Sequence, residues 1–258
     1  RIAIATSTGR GDDPIEEFAR TYDVNLVHGP EDDVLARFAL AADALDADVI
    51  LRVTDDAPLI DPDVADQLID ALQTAGADYA TYAPAGVAID EGFSPFSRRA
   101  LDRLCEVAAD DPVAREHVTA YFKDHPDFVR VVTITPPAER AFDARISVDT
   151  PADLEFLEAV YRELDVAPGE ADVEQVVALL RQRPNLLEIN RHVHQKGARE
   201  QTLSVVIRCD GGAELGLGHL VRCLALADAL RDRHGAGVRF ALADESTAHL
   251  VERARYPC

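Results

Sequence analysis

Strand-like and helix-like segments alternate along the first 83 residues, and no other feature of the sequence restricts the fold as strongly. The helix candidates between the strands carry apolar residues at helical spacing or begin with an acidic residue followed by proline. Strands are predicted over residues 2–6, 24–28, 48–54 and 78–83. This βαβαβαβ order predicts an α/β fold with a mostly parallel sheet and helices on both of its faces.

The alternation continues to residue 189 and then restarts. Further elements are predicted as helices near 97–109 and 112–124, a strand over 128–135, a strand, turn and helix over 144–164, and a helix over 171–183. A polar stretch over residues 190–201 is typical of a linker. We therefore predict one domain over residues 1–189, and the start of a second, incomplete α/β unit over 202–258.

Composition restricts the possible partners and the compartment. The formal net charge of −21 disfavours nonspecific binding to nucleic acids and to anionic membranes. No apolar run approaches the roughly 20 residues of a membrane span. The four cysteines, Cys105, Cys209, Cys223 and Cys258, have no CxxC spacing, which argues against a zinc site or a disulfide framework. These features predict an acidic cytoplasmic protein without a nucleic-acid or membrane partner.

Carboxylates follow two of the predicted strands. Asp56 lies in the segment DDAP after DVILRVT, and Asp149 follows ARISV. Ligands of open parallel sheets bind beyond the carboxyl ends of the strands, where two carboxylates could share Mg²⁺. The alternative is that acidic residues cap the helices that begin near Pro62 and Pro151. For Asp61 the cap is the favoured interpretation, whereas for Asp56 and Asp149 both interpretations stay open.

Six segments of the sequence carry a family resemblance. They are ATST…DDPI (5–15), DDVLARF (32–38), RVTDDAPLIDP (52–62), REHVTAYF (115–122), SVDTPADLE (147–155) and HQKG (194–197). In this order they resemble the spore-coat polysaccharide cytidylyltransferases, which are related to the synthetases of CMP-activated nonulosonic and deoxyoctulosonic sugars. The resemblance implies a nucleotidyltransferase (Rossmann-like) fold, CTP as donor, Mg²⁺ as cofactor and a sugar oxygen that attacks the α-phosphate.

The resemblance also implies roles for individual residues. Asp56 and Asp149 become the metal ligands. The candidates for binding the nucleotide or the sugar are Asp33, Arg37, Arg52, Asp90 and Arg115. For each of the three arginines among them, a surface ion pair is the alternative. The expected partners are CTP and an acidic or modified sugar, and the oligomeric state stays open, with a homodimer among the alternatives.

The chain departs from the family pattern at its beginning. Family members start with a strand and a glycine- and arginine-rich loop that cradles the CTP phosphates, and no such segment precedes Arg1. The chain also contains no methionine. We therefore expect an N-terminal truncation, and a fragment that is inactive alone.

The segment RCDGGAELGLGHLVRCLALADAL (208–230) carries a second resemblance. It is similar to the start of the UDP-sugar hydrolase of the pseudaminic acid pathway, a glycosyltransferase-like fold. That likeness implies a loop with Gly216 and Gly218 that presents His219 as the catalytic residue, although a plain glycine-rich turn before a helix is the alternative. A UDP-sugar hydrolase, with the first domain as a sugar-nucleotide-binding or scaffold domain, is thus the alternative function, and a non-enzymatic binding module is a third.

Overall fold

A computed structural model gives the fold of the 258-residue chain. The structure describes residues 1–82, 94–167, 169–193, 203–209, 217–242 and 247–258. The chain divides into two compact units. The first comprises Arg1–Ala144 and Pro168–Ala178, and the second Arg145–Ala167 and Leu179–Cys258. The predicted linker lies mostly outside the described residues, so the domain boundary near it stays a prediction.

The strands that the structure describes in the first unit form two sheets. They are β1 (Ala3–Thr6), β2 (Asn25–His28), β3 (Val49–Leu51), β4 (Tyr79–Tyr82), β5 (Pro95–Ser97) and β6 (Val131–Ile134). Strands β1 and β2 pair in parallel. The other four have the order β3-β5-β4-β6, in which β4 and β6 are parallel and β5 is antiparallel to both of its neighbours.

The helices of the first unit follow the predicted intervals, except that the helix predicted over 112–124 is divided in two at Val118, whose φ is +48°. They are α1 (Asp13–Thr21), α2 (Val34–Leu45), α3 (Pro62–Ala75), α4 (Arg98–Val107), α5 (Pro112–His117) and α6 (Thr119–Asp124). Asp61 accepts a hydrogen bond from the backbone N–H of Asp63 at 2.8 Å, which confirms the predicted cap of α3. At its other end, α3 stops at Gly76, whose φ of +57° suits glycine.

Both faces of the four-stranded sheet are covered by helices. Tyr79 on β4 packs into a cluster with residues of α2, α4, α5 and α6, including Leu35, Leu101 and Phe122. The next residue, Ala80, packs into a separate cluster with α3. Because successive side chains of a strand point to opposite faces, this change of partner places a core on each side of the sheet. The predicted α/β fold with helices on both faces is confirmed.

The second unit contains a strand pair and its own core. Its elements are α7 (Pro151–Leu164), β7 (Ser204–Arg208), α9 (Gly218–His234), β8 (Gly237–Ala241) and α10 (Ala248–Arg253). Helix α8 (Val173–Gln182) begins in the first unit and ends in the second. Strands β7 and β8 are parallel, and helix α9 connects them.

One predicted strand is absent from this part of the structure. Residues 144–148 have no regular secondary structure, although the helix predicted after them forms as α7. The carbonyl oxygen of Arg145 accepts a hydrogen bond from the side chain of Asn190 at 3.1 Å. The backbone there is therefore held by a side chain instead of a neighbouring strand.

Candidate active site

A tight turn follows β3 and carries the first candidate metal ligand. The backbone N–H of Ala57 donates to the carbonyl of Thr54 at 3.3 Å, so that Asp55 and Asp56 occupy the tip. Asp55 is exposed and Asp56 is half-buried. Within the described residues, Oδ1 of Asp56 is buried and has no hydrogen-bond donor. A buried carboxylate oxygen without a donor is costly, and a bound cation would relieve that cost.

Arg52 and Glu116 add charge around Asp56. Burial lowers the pKa of the Arg52 guanidinium, and the negative charges of Asp56 and Glu116 oppose that lowering. Arg52 directly follows β3, and Glu116 lies in α5 and is exposed. These three residues place one cation and two anions near the carboxyl end of β3, which is where parallel strands bind ligands. Mg²⁺ prefers oxygen ligands, so Oδ1 of Asp56 is a suitable ligand atom for this ion.

Asp149 lies in the second unit, in the segment before α7. Its Oδ2 accepts a hydrogen bond from Nη2 of Arg145 at 2.5 Å, and its side chain is 53% exposed. The helix cap is Thr150 instead, which forms a capping box with Asp153. The cap interpretation of Asp149 is therefore wrong, while its role as a metal ligand stays a prediction.

A buried network behind Asp149 was not predicted from the sequence. The side chain of Asp153 has no exposed surface and accepts hydrogen bonds from Arg145, Asn190 and Thr150. Burial opposes ionisation, but these hydrogen bonds and the charge of Arg145 outweigh it and lower the pKa of Asp153. The T-x-x-D pattern of Thr150 and Asp153 is a readable capping signal. Asn190 is distant in sequence and gives no such signal.

Asp33 and Arg115 form an internal ion pair. Oδ1 of Asp33 accepts the backbone N–H of Ala36 at 3.0 Å and caps α2. Its Oδ2 accepts hydrogen bonds from Nη2 and Nε of Arg115, the latter at 3.1 Å. Each oxygen of Asp33 therefore has a partner, and the pair ties α2 to α5. Whether either residue contacts a nucleotide stays a prediction.

Arg37 organises the loop before α2. Its Nη1 donates to the carbonyl oxygens of Pro30 and Glu31 at 2.6 and 2.7 Å. Gly29 allows the stem of Arg37 to approach, because a Cβ at that position would lie 2.7 Å from Arg37 Cγ. The structure thus gives Arg37 a role in shaping this loop, and substrate binding by Arg37 stays a prediction.

Asp12 closes the loop after β1 and does not cap α1. The sequence pattern Asp-Asp-Pro predicts a cap, but Asp12 makes no capping hydrogen bond with its side chain. Its Oδ2 instead accepts hydrogen bonds from Thr6 Oγ1, Ser7 N and Ser7 Oγ at 2.6 to 2.9 Å. These hydrogen bonds from Thr6 and Ser7 are the main cause that lowers the pKa of Asp12.

The remaining candidate residues are placed only in part. Asp90 and Gly216 lie outside the described residues. Gly218 and His219 begin α9, and His219 is exposed. In the described portion of the chain, no helix has the length and apolar character needed to cross a membrane.

Comparison with known proteins gives consistent likenesses. Residues 1–193 match the family model described as cytidylyltransferase. The chain is 31% identical over 188 residues to the spore coat polysaccharide biosynthesis protein SpsF of Bacillus subtilis, covering 71% of this chain and 76% of that protein. The chain is also 29% identical over 200 residues to an uncharacterized protein of Methanocaldococcus jannaschii, covering 77% of this chain and 80% of that protein.

A solved structure shares the fold. A cytidylyltransferase from Leptospira borgpetersenii matches with a TM-score of 0.64 and 24% identity, covering 72% of this chain and 77% of that one. At this level of identity, the match supports the α/β nucleotidyltransferase-like architecture.

Proposed function

Because the chain belongs to the cytidylyltransferase family, we propose that it transfers a cytidylyl group from CTP to a sugar used in surface polysaccharide biosynthesis. In this reaction a sugar oxygen attacks the α-phosphorus of CTP, a new P–O bond forms and pyrophosphate leaves. The observation that supports the proposal most directly is the family match over residues 1–193. The SpsF relative is named for spore coat polysaccharide biosynthesis, which favours a polysaccharide precursor as acceptor.

Asp56 is the residue we propose as a ligand of Mg²⁺. Among the described residues its buried Oδ1 has no donor, and it follows the strand end at which ligands of such sheets bind. Asp149 belongs to the second unit and is proposed as the other ligand on the sequence resemblance alone. When bound, Mg²⁺ would neutralise charge on the phosphates as pyrophosphate departs.

Arg52 is the side chain we propose to pair with the charge of Asp56 and to face the anionic substrate. Burial lowers the pKa of its guanidinium, and the negative charges of Asp56 and Glu116 oppose that lowering. A half-buried cation near the proposed metal-binding carboxylate would attract triphosphate and a sugar carboxylate. We propose a nonulosonic or related acidic sugar as acceptor, in line with the sequence resemblance.

The test of this function is a pyrophosphate-release assay on the full-length protein with CTP, Mg²⁺ and a panel of nonulosonic and related acidic sugars. We expect release that requires both CTP and one acidic sugar, with a CMP-sugar identified by mass spectrometry. Neutral hexoses and their phosphates serve as control acceptors. Release with ATP or UTP but not CTP would refute cytidylyl transfer, whereas CTP-dependent release with neutral sugars alone would refute only the acidic acceptor.

A further inference from the structure

Two cysteines and a histidine that are separated in sequence come together in the second unit. Cys209 directly follows β7, and His219 and Cys223 lie in the first two turns of α9. One ligand atom of each residue, the two Sγ atoms and an imidazole nitrogen, lies within 4.8 Å of the others. The sequence has no CxxC pair, which argues against a zinc site. The fold nevertheless brings Cys209, His219 and Cys223 close together, and their positions in the sequence do not show this.

Local structure explains the convergence. The backbone N–H of Cys209 donates to the carbonyl of Ala241 at 3.1 Å, which extends the parallel pairing by one residue beyond β7. His219 and Cys223 are four residues apart in a helix and therefore share one face. Nε2 of His219 lies 3.7 Å from Sγ of Cys223. The strand end and the helix face thus present three donor atoms to one point.

The separation of one pair of these atoms, Nε2 of His219 and Sγ of Cys223, matches a tetrahedral metal centre. With Zn–S near 2.3 Å and Zn–N near 2.0–2.1 Å, the nitrogen and sulfur ligands of a tetrahedral zinc ion are separated by about 3.6 Å. The 3.7 Å between Nε2 of His219 and Sγ of Cys223 is close to this value. Two thiols and an imidazole are also a donor set that zinc accepts, with the fourth position left for water.

We propose that Cys209, His219 and Cys223 bind a zinc-type divalent cation. Cys209 is 1% exposed and Cys223 is 8% exposed, whereas His219 is exposed, so the cation would enter and keep its open position on the side of the imidazole. Binding converts each thiol to a thiolate and releases its proton to solvent. Sulfur ligands disfavour Mg²⁺, so this site differs in chemistry from the one proposed at Asp56.

Packing alone is the alternative explanation for the two thiols. Both cysteines belong to the apolar core of the second unit, together with Leu220, Val238 and Phe240. Neither takes part in a disulfide. A core role accounts for the burial of the sulfur atoms but does not require an imidazole nitrogen at 3.7 Å from one of them. The two explanations differ in whether the reduced protein binds a metal ion.

The test is titration of the reduced protein with Co²⁺ and then Zn²⁺. The other two cysteines, Cys105 and Cys258, are first replaced by serine, so that any thiolate signal comes from the proposed site. We expect one Co²⁺ per chain, a thiolate-to-cobalt charge-transfer band in the near ultraviolet, and loss of that band when Zn²⁺ displaces Co²⁺. Excess Mg²⁺ should not displace it.

Single substitutions then assign the ligands. Cys223→Ser and His219→Ala should each weaken Co²⁺ binding by at least about 10–100-fold, the loss caused by removing even an outer partner of a metal site. Because His219 is exposed, His219→Ala should fold normally, which circular dichroism checks. This variant therefore still tests metal binding if a cysteine variant does not fold. Absence of the charge-transfer band, or a Co²⁺ affinity in both variants equal to that of the parent protein, would overturn the proposal and leave the thiols as core residues only.

Discussion

Arg145 donates from Nε to the fully buried carboxylate of Asp153 at 2.8 Å and from Nη2 to the exposed carboxylate of Asp149 at 2.5 Å. One guanidinium therefore joins two acids of opposite exposure. Breaking a buried pair leaves an uncompensated charge, whereas an exposed pair contributes little because water screens it. The two acids should respond very differently to substitution.

Asp153→Ala should destabilise the protein by about 3–5 kcal/mol, since it leaves Arg145 with its buried partner missing and removes the capping box of α7. The matched control, Asp149→Ala, should lose only about 0–1 kcal/mol. Chemical denaturation followed by circular dichroism measures both. Equal losses of unfolding free energy in the two variants would show that the buried ion pair with Asp153 contributes no more than the exposed pair with Asp149.

The same network predicts a dependence of stability on pH. The pKa of Asp153 is lowered in the folded protein from its ordinary value of 3.8, so the unfolded chain binds the proton more readily. The stability that Asp153 contributes is therefore fully present above that value and is lost as the pH falls below it towards the folded pKa. Asp153→Asn should reduce the slope of unfolding free energy against pH in this acidic range. An unchanged slope would contradict the prediction.

Asp56→Asn should suppress cytidylyl transfer by about 10²-fold or more, the scale of losing one charge-stabilising group. The variant keeps the shape of the side chain and removes its negative charge, so stability without metal should change by less than about 1 kcal/mol. Asp55→Asn, at the exposed neighbouring position, is the control and should retain activity. As a second readout, Mg²⁺ with CTP should raise the Tm of the parent protein but not of Asp56→Asn. Full activity in Asp56→Asn would exclude it as a metal ligand.

Asp61→Ala should act on stability and not on chemistry. Asp61 caps α3 and also lies 2.9 Å from Nη1 of Arg140, and both side chains are mostly buried. Loss of the cap costs about 0.5–2 kcal/mol, and the disrupted ion pair adds to this. Asp66→Ala, on the exposed face of the same helix, should change stability by about 0.5 kcal/mol or less. If Asp61→Ala abolished transfer while retaining its Tm, Asp61 would belong to the active site.

Local signals in the sequence predicted most of the fold. The cap at Asp61 was predictable because it depends on residues two or three positions away. Strand β5 was missed because it has three residues, begins with Pro95 and pairs antiparallel, so that neither periodicity nor helix–strand alternation reveals it. Strand β3 stops at Leu51, before the predicted end, as the chain turns towards Asp56.

The candidate sites depended on contacts that sequence spacing does not encode. Asn190 reaches Asp153 across 37 positions, and Arg115 reaches Asp33 across 82. The grouping of Cys209 with His219 likewise depends on how the end of a strand and the start of a helix lie in the folded chain. Residue type and position identified Asp56 and Asp149 as candidates, but only the folded chain shows which oxygen atoms already have partners.

The alternation of Tyr79 and Ala80 on β4 restricts how this sequence can change over time. Tyr79 contributes a phenol ring to one core, and Ala80 contributes a methyl group to the other. A one-residue insertion or deletion inside β4 would exchange them, crowding α3 on one side and emptying space beside Phe122 on the other. Length variation among related proteins should therefore be confined to the segments that flank β4.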